Sequence, residues 1–222
     1  MAGDVELITL RSAELTADIR RGIDDLFHAG YRGANDDYLE MALAVLSNTA
    51  IARAADGRVV AFALGETKAL EIPGAGVRPV SMAGLACVDR DWRRQRLFSA
   101  VATAALQPGL SAGDDTSRLV AGRVAHAASL RSFRIPNAVP RPGVAPTAWH
   151  KQVGAAVAEA YGASAFDADR FICIGDGVGP GEPVLDIDDA TEEERRLFEG
   201  VNRARGDALL RIGWWPDPPP GW

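Results

Sequence analysis

Apolar and polar residues alternate over residues 5–10. Leu15, Ile19, Ile23, Leu26 and Phe27 then recur at the three-and-four spacing of one helical face. The pattern predicts a short strand followed by a helix of about four turns. Residues 28–37 carry two glycines and an Asn-Asp-Asp run, a loop composition, before Leu39, Ala42, Leu43 and Leu46 mark a second helix. Apolar runs at 51–54 and 59–64 flank Asp56-Gly57 and read as an antiparallel hairpin. A Gly/Pro loop is expected at 73–79. It leads into a buried strand at 80–88, whose internal Gly84 implies a bulge or a close approach of backbone.

From Leu97 the apolar positions Leu97, Val101, Ala104 and Ala105 return to helical spacing, which ends at Pro108-Gly109. Residues 119–124 read as a strand, 126–134 as a short helix, and 136–146, with four prolines, as an extended loop. Trp149, Val153, Ala156, Val157 and Ala160 form a helix face closing at Tyr161-Gly162. Beyond it, 171–174 reads as a strand, 175–183 as a Gly/Pro connector, 192–203 as helix, 208–214 as strand, and 216–221 as irregular. No internal repeat is present. The expectation is a single domain over 1–222, with a core at about 5–135 and C-terminal strands and insertions at about 136–222.

A chain of 222 residues that is 47% hydrophobic can bury a sizeable core without disulfides or metal. The formal charge of −6 argues against a protein that coats nucleic acid or an anionic membrane. No apolar run approaches the roughly 20 residues that span a bilayer, and the first residues lack the basic start of a signal peptide, so a cytoplasmic location is expected. Cys87 and Cys173 stand alone in apolar runs and read as buried, reduced thiols. No His or Cys spacing suggests a metal centre.

The charge count hides an asymmetry. Of 24 cationic residues only Lys68 and Lys151 are lysines, and alanines number 39, which suggests coding bias. Yet Arg90, Arg93, Arg94 and Arg96 crowd one turn, against Asp91 alone, where a strand hands over to a helix. A helix N-terminus offers unpaired N–H groups and the positive end of its dipole, and arginines add forked, charge-assisted donors. The turn reads either as a phosphate or pyrophosphate site or as a solvated cluster that starts a helix.

The run Gly84-Leu-Ala-Cys-Val-Asp-Arg-Asp-Trp-Arg-Arg-Gln-Arg-Leu-Phe-Ser-Ala-Val resembles the central strand, pyrophosphate loop and following helix of the GCN5-related N-acetyltransferases (GNAT). The preceding order of strand, two helices and hairpin is that family's order too. The resemblance implies an α/β fold of the α+β kind: a GNAT-like mixed, mostly antiparallel central sheet flanked by helices, with a C-terminal elaboration. It further implies acetyl-CoA or another acyl-CoA as co-substrate, with the pantetheine arm along Cys87 and Val88. The pyrophosphate would then lie over Arg93, Arg94, Gln95, Arg96, Leu97 and Phe98. Arg96 and Phe98 stand where the family carries glycine. Arg96 therefore either turns outward and serves the phosphates or fills their pocket.

The same resemblance sends attention to a general base and to a Tyr acid, in whose place Phe133 stands. His126 could move a proton or cap a helix; Glu66 could be a base or an ordinary surface carboxylate. Asp36 and Asp37 could hold an ammonium acceptor or start the second helix. His150 and Tyr161 read as structural. Trp149, Trp214, Trp215 and Trp222 suggest an apolar wall, for core packing, a bulky acceptor or a homodimer contact. The expected activity is acyl-CoA-dependent N-acyl transfer to a small-molecule amine. The alternatives are a catalytically silent GNAT-like binding protein with a degenerate CoA site and an anion-binding regulatory domain.

Overall fold

The computed structural model describes residues 5–108, 117–132, 135–185 and 189–222; Gly109, Phe133 and Arg134, which the sequence reading placed at helix ends and near the acid position, lie outside them. In chain order the elements are β1 (Val5–Arg11), α1 (Ala17–Gly30), β2 (Tyr31–Arg32), α2 (Asp36–Val45), β3 (Asn48–Ala54), β4 (Val59–Ile72), β5 (Gly76–Val88) and α3 (Leu97–Leu106). There follow β6 (Arg118–Val124), α4 (Ala148–Ala160), β7 (Ala165–Asp167), β8 (Ile172–Ile174), β9 (Glu182–Pro183), α5 (Glu192–Arg196) and β10 (Ala208–Trp215). The fold is the mixed, mostly antiparallel sheet with flanking helices that the sequence implies. Two compact units are formed: Met1–Thr67 with Ala83–Gly109 and Pro180–Val184, and Lys68–Met82 with Leu110–Gly179 and Leu185–Trp222.

In the first unit the strand order is β1-β3-β4-β5. β1 and β3 pair antiparallel from Val5↔Ala54 to Arg11↔Asn48, and β3 and β4 form the hairpin expected at Asp56-Gly57, with a bulge at Ala52/Arg53. Gly57 has φ 86°, which its lack of a Cβ permits. Helix α1 starts where the Thr16 hydroxyl accepts from the Ile19 N–H, and it buries Ile19, Ile23, Leu26 and Phe27, the stripe read from the sequence. In α2 the Asn35 side chain caps the Asp37 N–H, and Asp36 and Asp37 complement the helix dipole in the first turn.

In the second unit the order is β4-β5-β6-β10-β8-β7. β10 pairs with β6 from Leu209↔Val124 to Trp215↔Arg118 and with β8 at Ala208↔Cys173. Helix α4 begins in a capping box between Thr147 and His150, and its Tyr161 hydroxyl donates to the Ala121 carbonyl at 3.1 Å. The tail folds back: the Trp222 indole donates to the Asn137 carbonyl at 2.9 Å, and its ring lies 4.5 Å from His150, 5.5 Å from Trp149 and 5.9 Å from Trp214. The expected tryptophan wall thus takes in three of its four residues, because Trp215 is exposed. Asp207 is buried at the head of β10, where it accepts from the Gly175 and Asn202 N–H groups and from Arg205.

Several boundaries differ from the sequence reading. β5 begins at Gly76, so Pro79 lies within a strand and the loop shrinks to 73–75; β4 continues to Ile72 instead of ending near Leu64. Residues 127–132 form a 3-10 helix, and helix over 192–203 is confined to Glu192–Arg196, since turns follow and Gly200 takes φ 92°. The two-residue β2 and β9 and the short β7 carry too few positions to produce a periodic signal. Both cysteines are free and buried, as expected. Among the described residues, no helix is long and apolar enough to cross a membrane.

Candidate functional site

The Arg-rich turn is placed by the packing of α3. Leu97, Val101, Ala104 and Ala105 sit on a floor of Ala50, Ala52, Ala54, Val60, Ala61 and Ala63 from β3 and β4. Small side chains let the helix approach closely: a Cβ on Gly65 would stand 2.7 Å from the Ala105 carbonyl oxygen. At the other end of the turn the Asp89 N–H donates to the Val60 carbonyl at 2.9 Å, and the Asp89 carboxylate accepts from the Asp91 N–H and from Arg58, each at 2.9 Å. A 3-10 turn, Arg90–Trp92, follows.

Between these anchors the backbone enters the left-handed region twice, at Arg94 (φ 65°) and at Arg96 (φ 64°, ψ 7°). A non-glycine residue there costs about 1–2 kcal/mol, so the surrounding packing holds a glycine-like trace with arginines on it. Arg96 occupies the N-cap position of α3 and gives no side-chain cap. The first-turn N–H groups therefore keep the donors that a helix leaves unpaired at its start. Arg94, Gln95, Arg96 and Phe98 are exposed while Leu97 is buried. Gln95 reaches back to the Asp91 carbonyl at 3.4 Å. The arrangement, a helix start with forward-facing donors ringed by exposed guanidinium groups, suits a polyanion.

Arg93 is used differently. Its Nε donates to the Val88 carbonyl at 3.1 Å and its Nη1 to the Val184 carbonyl at 3.3 Å. Next to Val88, the Cys87 thiol is pushed up to about 12 by burial, against the opposing pull of Arg93. That thiol is therefore protonated at neutral pH and is no nucleophile. A Cβ on Gly30 would meet Cys87 Sγ at 3.0 Å, so the end of α1 lies directly over this part of β5. Burial also raises the Tyr31 hydroxyl well above its ordinary range, with Cys87 and Tyr38 adding to the shift.

The remaining candidates have local partners. Glu66 is half-buried; its carboxylate accepts from the Ser47 hydroxyl and, at 3.3 Å, the Ser47 N–H, and from the Thr67 N–H at 3.0 Å. It is a fixed carboxylate and not the exposed one that composition suggests. His126, in the second unit, accepts the Ala128 N–H on Nδ1 at 3.1 Å and so starts the 3-10 helix of that region. Asp36 lies 2.8 Å from His28 Nε2, and both Asp36 and Asp37 are exposed. Unforeseen from the sequence is the segment Pro180–Val184, hereafter the strap. It joins the first unit from a region that composition marks only as a connector. No periodic or motif signal announces it.

No family model matches the chain, and no curated protein matches it in sequence. Solved structures do resemble it in outline. One is a fungal multi-domain β-N-acetylglucosaminidase with a GCN5-related glucosamine N-acetyltransferase region, at 15% identity and a TM-score of 0.40; the match covers 54% of this chain and 13% of that one. A second is the GNAT family N-acetyltransferase YhbS from Escherichia coli in complex with CoA, at 15% identity and a TM-score of 0.40, over 59% of this chain and 69% of that one. A third is the aminoglycoside N-acetyltransferase AAC(6')-Iy in complex with CoA, at 17% identity and a TM-score of 0.42, over 60% and 85%. In this chain the β3–β4 hairpin leads into the central strand β5, followed by the arginine-rich turn and helix α3.

Proposed function

We propose that this chain is an acyl-CoA-dependent N-acyltransferase, with acetyl-CoA as the expected donor and a small-molecule amine as acceptor. The observation that carries the reading is the left-handed backbone at Arg94 and Arg96 ahead of an uncapped helix. Strained non-glycine backbone clusters at functional sites, and successive N–H groups running through left-handed turns form concavities that suit an anion. Exposure of Arg96 supports its role as a donor to phosphate and not as a plug. The N–H groups from Arg94 to Phe98 and the guanidinium groups of Arg94 and Arg96 would hold the pyrophosphate, and Cys87 and Val88 would flank the pantetheine arm. An acyl-CoA would supply the activated thioester. Glu66, fixed by Ser47, is the candidate to take a proton from the amine, and Asp36 and Asp37 offer charge for an ammonium group.

The test is thermal unfolding with acetyl-CoA, longer acyl-CoAs and free CoA. Saturation at about 100 times Kd stabilises a folded protein by about 2.7 kcal/mol, so a clear rise in Tm is expected. Absence of any rise with all of them overturns the proposal.

A further inference from the structure

The strap is stitched to the first unit at successive points. Tyr31 pairs with Pro183 and Arg32 with Glu182 in a two-stranded antiparallel ribbon, and the Val184 N–H donates to the Gly30 carbonyl at 2.8 Å. The Arg32 guanidinium lies 3.4 Å from the Glu182 carboxylate, and Gly181, at φ 99°, presses its Cα side against the Gly33 carbonyl, where a Cβ would come to 2.8 Å. All of these contacts are to the end of α1, to β2 and to Gly33 just after it. The contact of a different kind is Arg93, which ties the Val184 carbonyl to the Val88 carbonyl at the end of β5.

We infer that Arg93 is a positioning residue that couples the strap to the cofactor turn, so that filling the turn and closing the strap are linked through one guanidinium. This rests on the proposed acyl-CoA site. Arg93 is one residue before Arg94, the first left-handed position, so its backbone leads directly into the turn proposed to hold the polyanion. Its side chain points the other way, into two carbonyls. A planar fork can hold two acceptors at once in fixed geometry; a lysine ammonium on a flexible stem cannot reproduce that. Linkage is reciprocal, so a closed strap favours the occupied turn as much as the occupied turn favours a closed strap. The strap pairs with Tyr31 and the end of α1, beside Cys87, and it would thereby wall the end of β5, along which the pantetheine arm is proposed to lie.

Amide hydrogen exchange of Gly181, Glu182, Val184 and Leu185 tests this, in the full chain, for wild type, Arg93→Met and Arg93→Lys, each with and without free CoA. Without CoA, exchange in the strap is expected to be roughly three- to tenfold faster in Arg93→Met than in wild type, with Arg93→Lys between them. With CoA, wild-type exchange slows, while the Arg93→Met strap no longer responds although CoA still raises its Tm. Equal strap exchange in wild type and Arg93→Met, or a CoA response that survives in Arg93→Met, overturns the coupling. If CoA fails to bind the wild type, the acyl-CoA reading falls; the CoA-free comparison still decides whether Arg93 holds the strap.

Discussion

A Cβ built on Gly84 would stand 1.9 Å from Cδ1 of Leu46, so the central strand and the residue that closes α2 share one volume. The Leu64 carbonyl oxygen lies 3.2 Å from the same point, which leaves the added methyl no second route. Gly84→Ala is expected to destabilise by about 1–3 kcal/mol through overpacking, and Leu46→Ala by about 2–5 kcal/mol through the cavity it leaves. The double variant should lose less than the sum of the two. Denaturant unfolding of the four proteins measures this, and strict additivity would show that the two sites do not compete.

The left-handed arginines give stability and binding opposite signs. Arg96→Gly removes a strained conformation and should raise unfolding stability by up to about 1 kcal/mol. It should also weaken acetyl-CoA by roughly three- to tenfold and flatten the salt dependence of binding. Calorimetry at two salt concentrations reads both effects. Tighter binding in Arg96→Gly would mean that the side chain obstructs the seat.

His150 sets a pH dependence in the tail. Its Nδ1 accepts the Thr147 N–H at 3.1 Å and its ring packs on Trp222, so folding requires the neutral imidazole. Burial, with Arg141 nearby, lowers its pKa below the ordinary 6.5. The unfolded chain then binds a proton that the folded chain does not, and this contribution to stability, whole above about 6.5, declines as pH falls below it. The wild type should lose Tm relative to His150→Asn between pH 7.5 and 5.5. Parallel curves for the two proteins would assign no such role to His150.

Asp207 works at the acid end. Arg205, together with the Gly175 and Asn202 amides, holds its carboxyl at about 2. The unfolded chain takes up that proton near 4, so the stabilisation is complete above about 4 and disappears as pH falls through about 2. Arg205 is 45% exposed and therefore screened, so Asp207→Asn is expected to cost about 2 kcal/mol at neutral pH. The cost should shrink towards zero in acid. A deficit that persists at pH 2 would place it in packing and not in charge.

The long helices were legible because their buried stripes repeat at one spacing: Ile19, Ile23, Leu26 and Phe27 in α1 all face the core. The hairpin was legible because Asp-Gly supplies the turn it needs. Pro79 hid the start of β5, since proline argues against a strand that its neighbours nonetheless complete. The Arg-rich turn was visible as charge and as a resemblance to a family pattern with its glycines missing. Composition could not show that Arg96, at one of those glycine positions, keeps the left-handed backbone a glycine would permit, or that Arg94 takes it too, because a φ value depends on the packing around the turn, where Leu97 is buried on one side and Asp89 is held by Arg58 on the other. Nor could Glu66 and Ser47 be paired, standing 19 positions apart with no motif between them. The strap was illegible because two residues of ribbon have no period.

Neither unit is a continuous stretch of chain, since the polypeptide changes unit after Thr67, Met82, Gly109, Gly179 and Val184. As synthesis proceeds, the strands of the first unit's sheet and two of its helices, α1 and α2, have been made when the Arg-rich turn emerges, yet the unit waits for its final piece until Pro180–Val184 has been made. A nascent chain halted in the proline-rich stretch at 136–146 would carry the arginines without the segment that Arg93 is built to grip. The order of translation therefore makes the turn first and delivers the segment that Arg93 contacts 91 residues later.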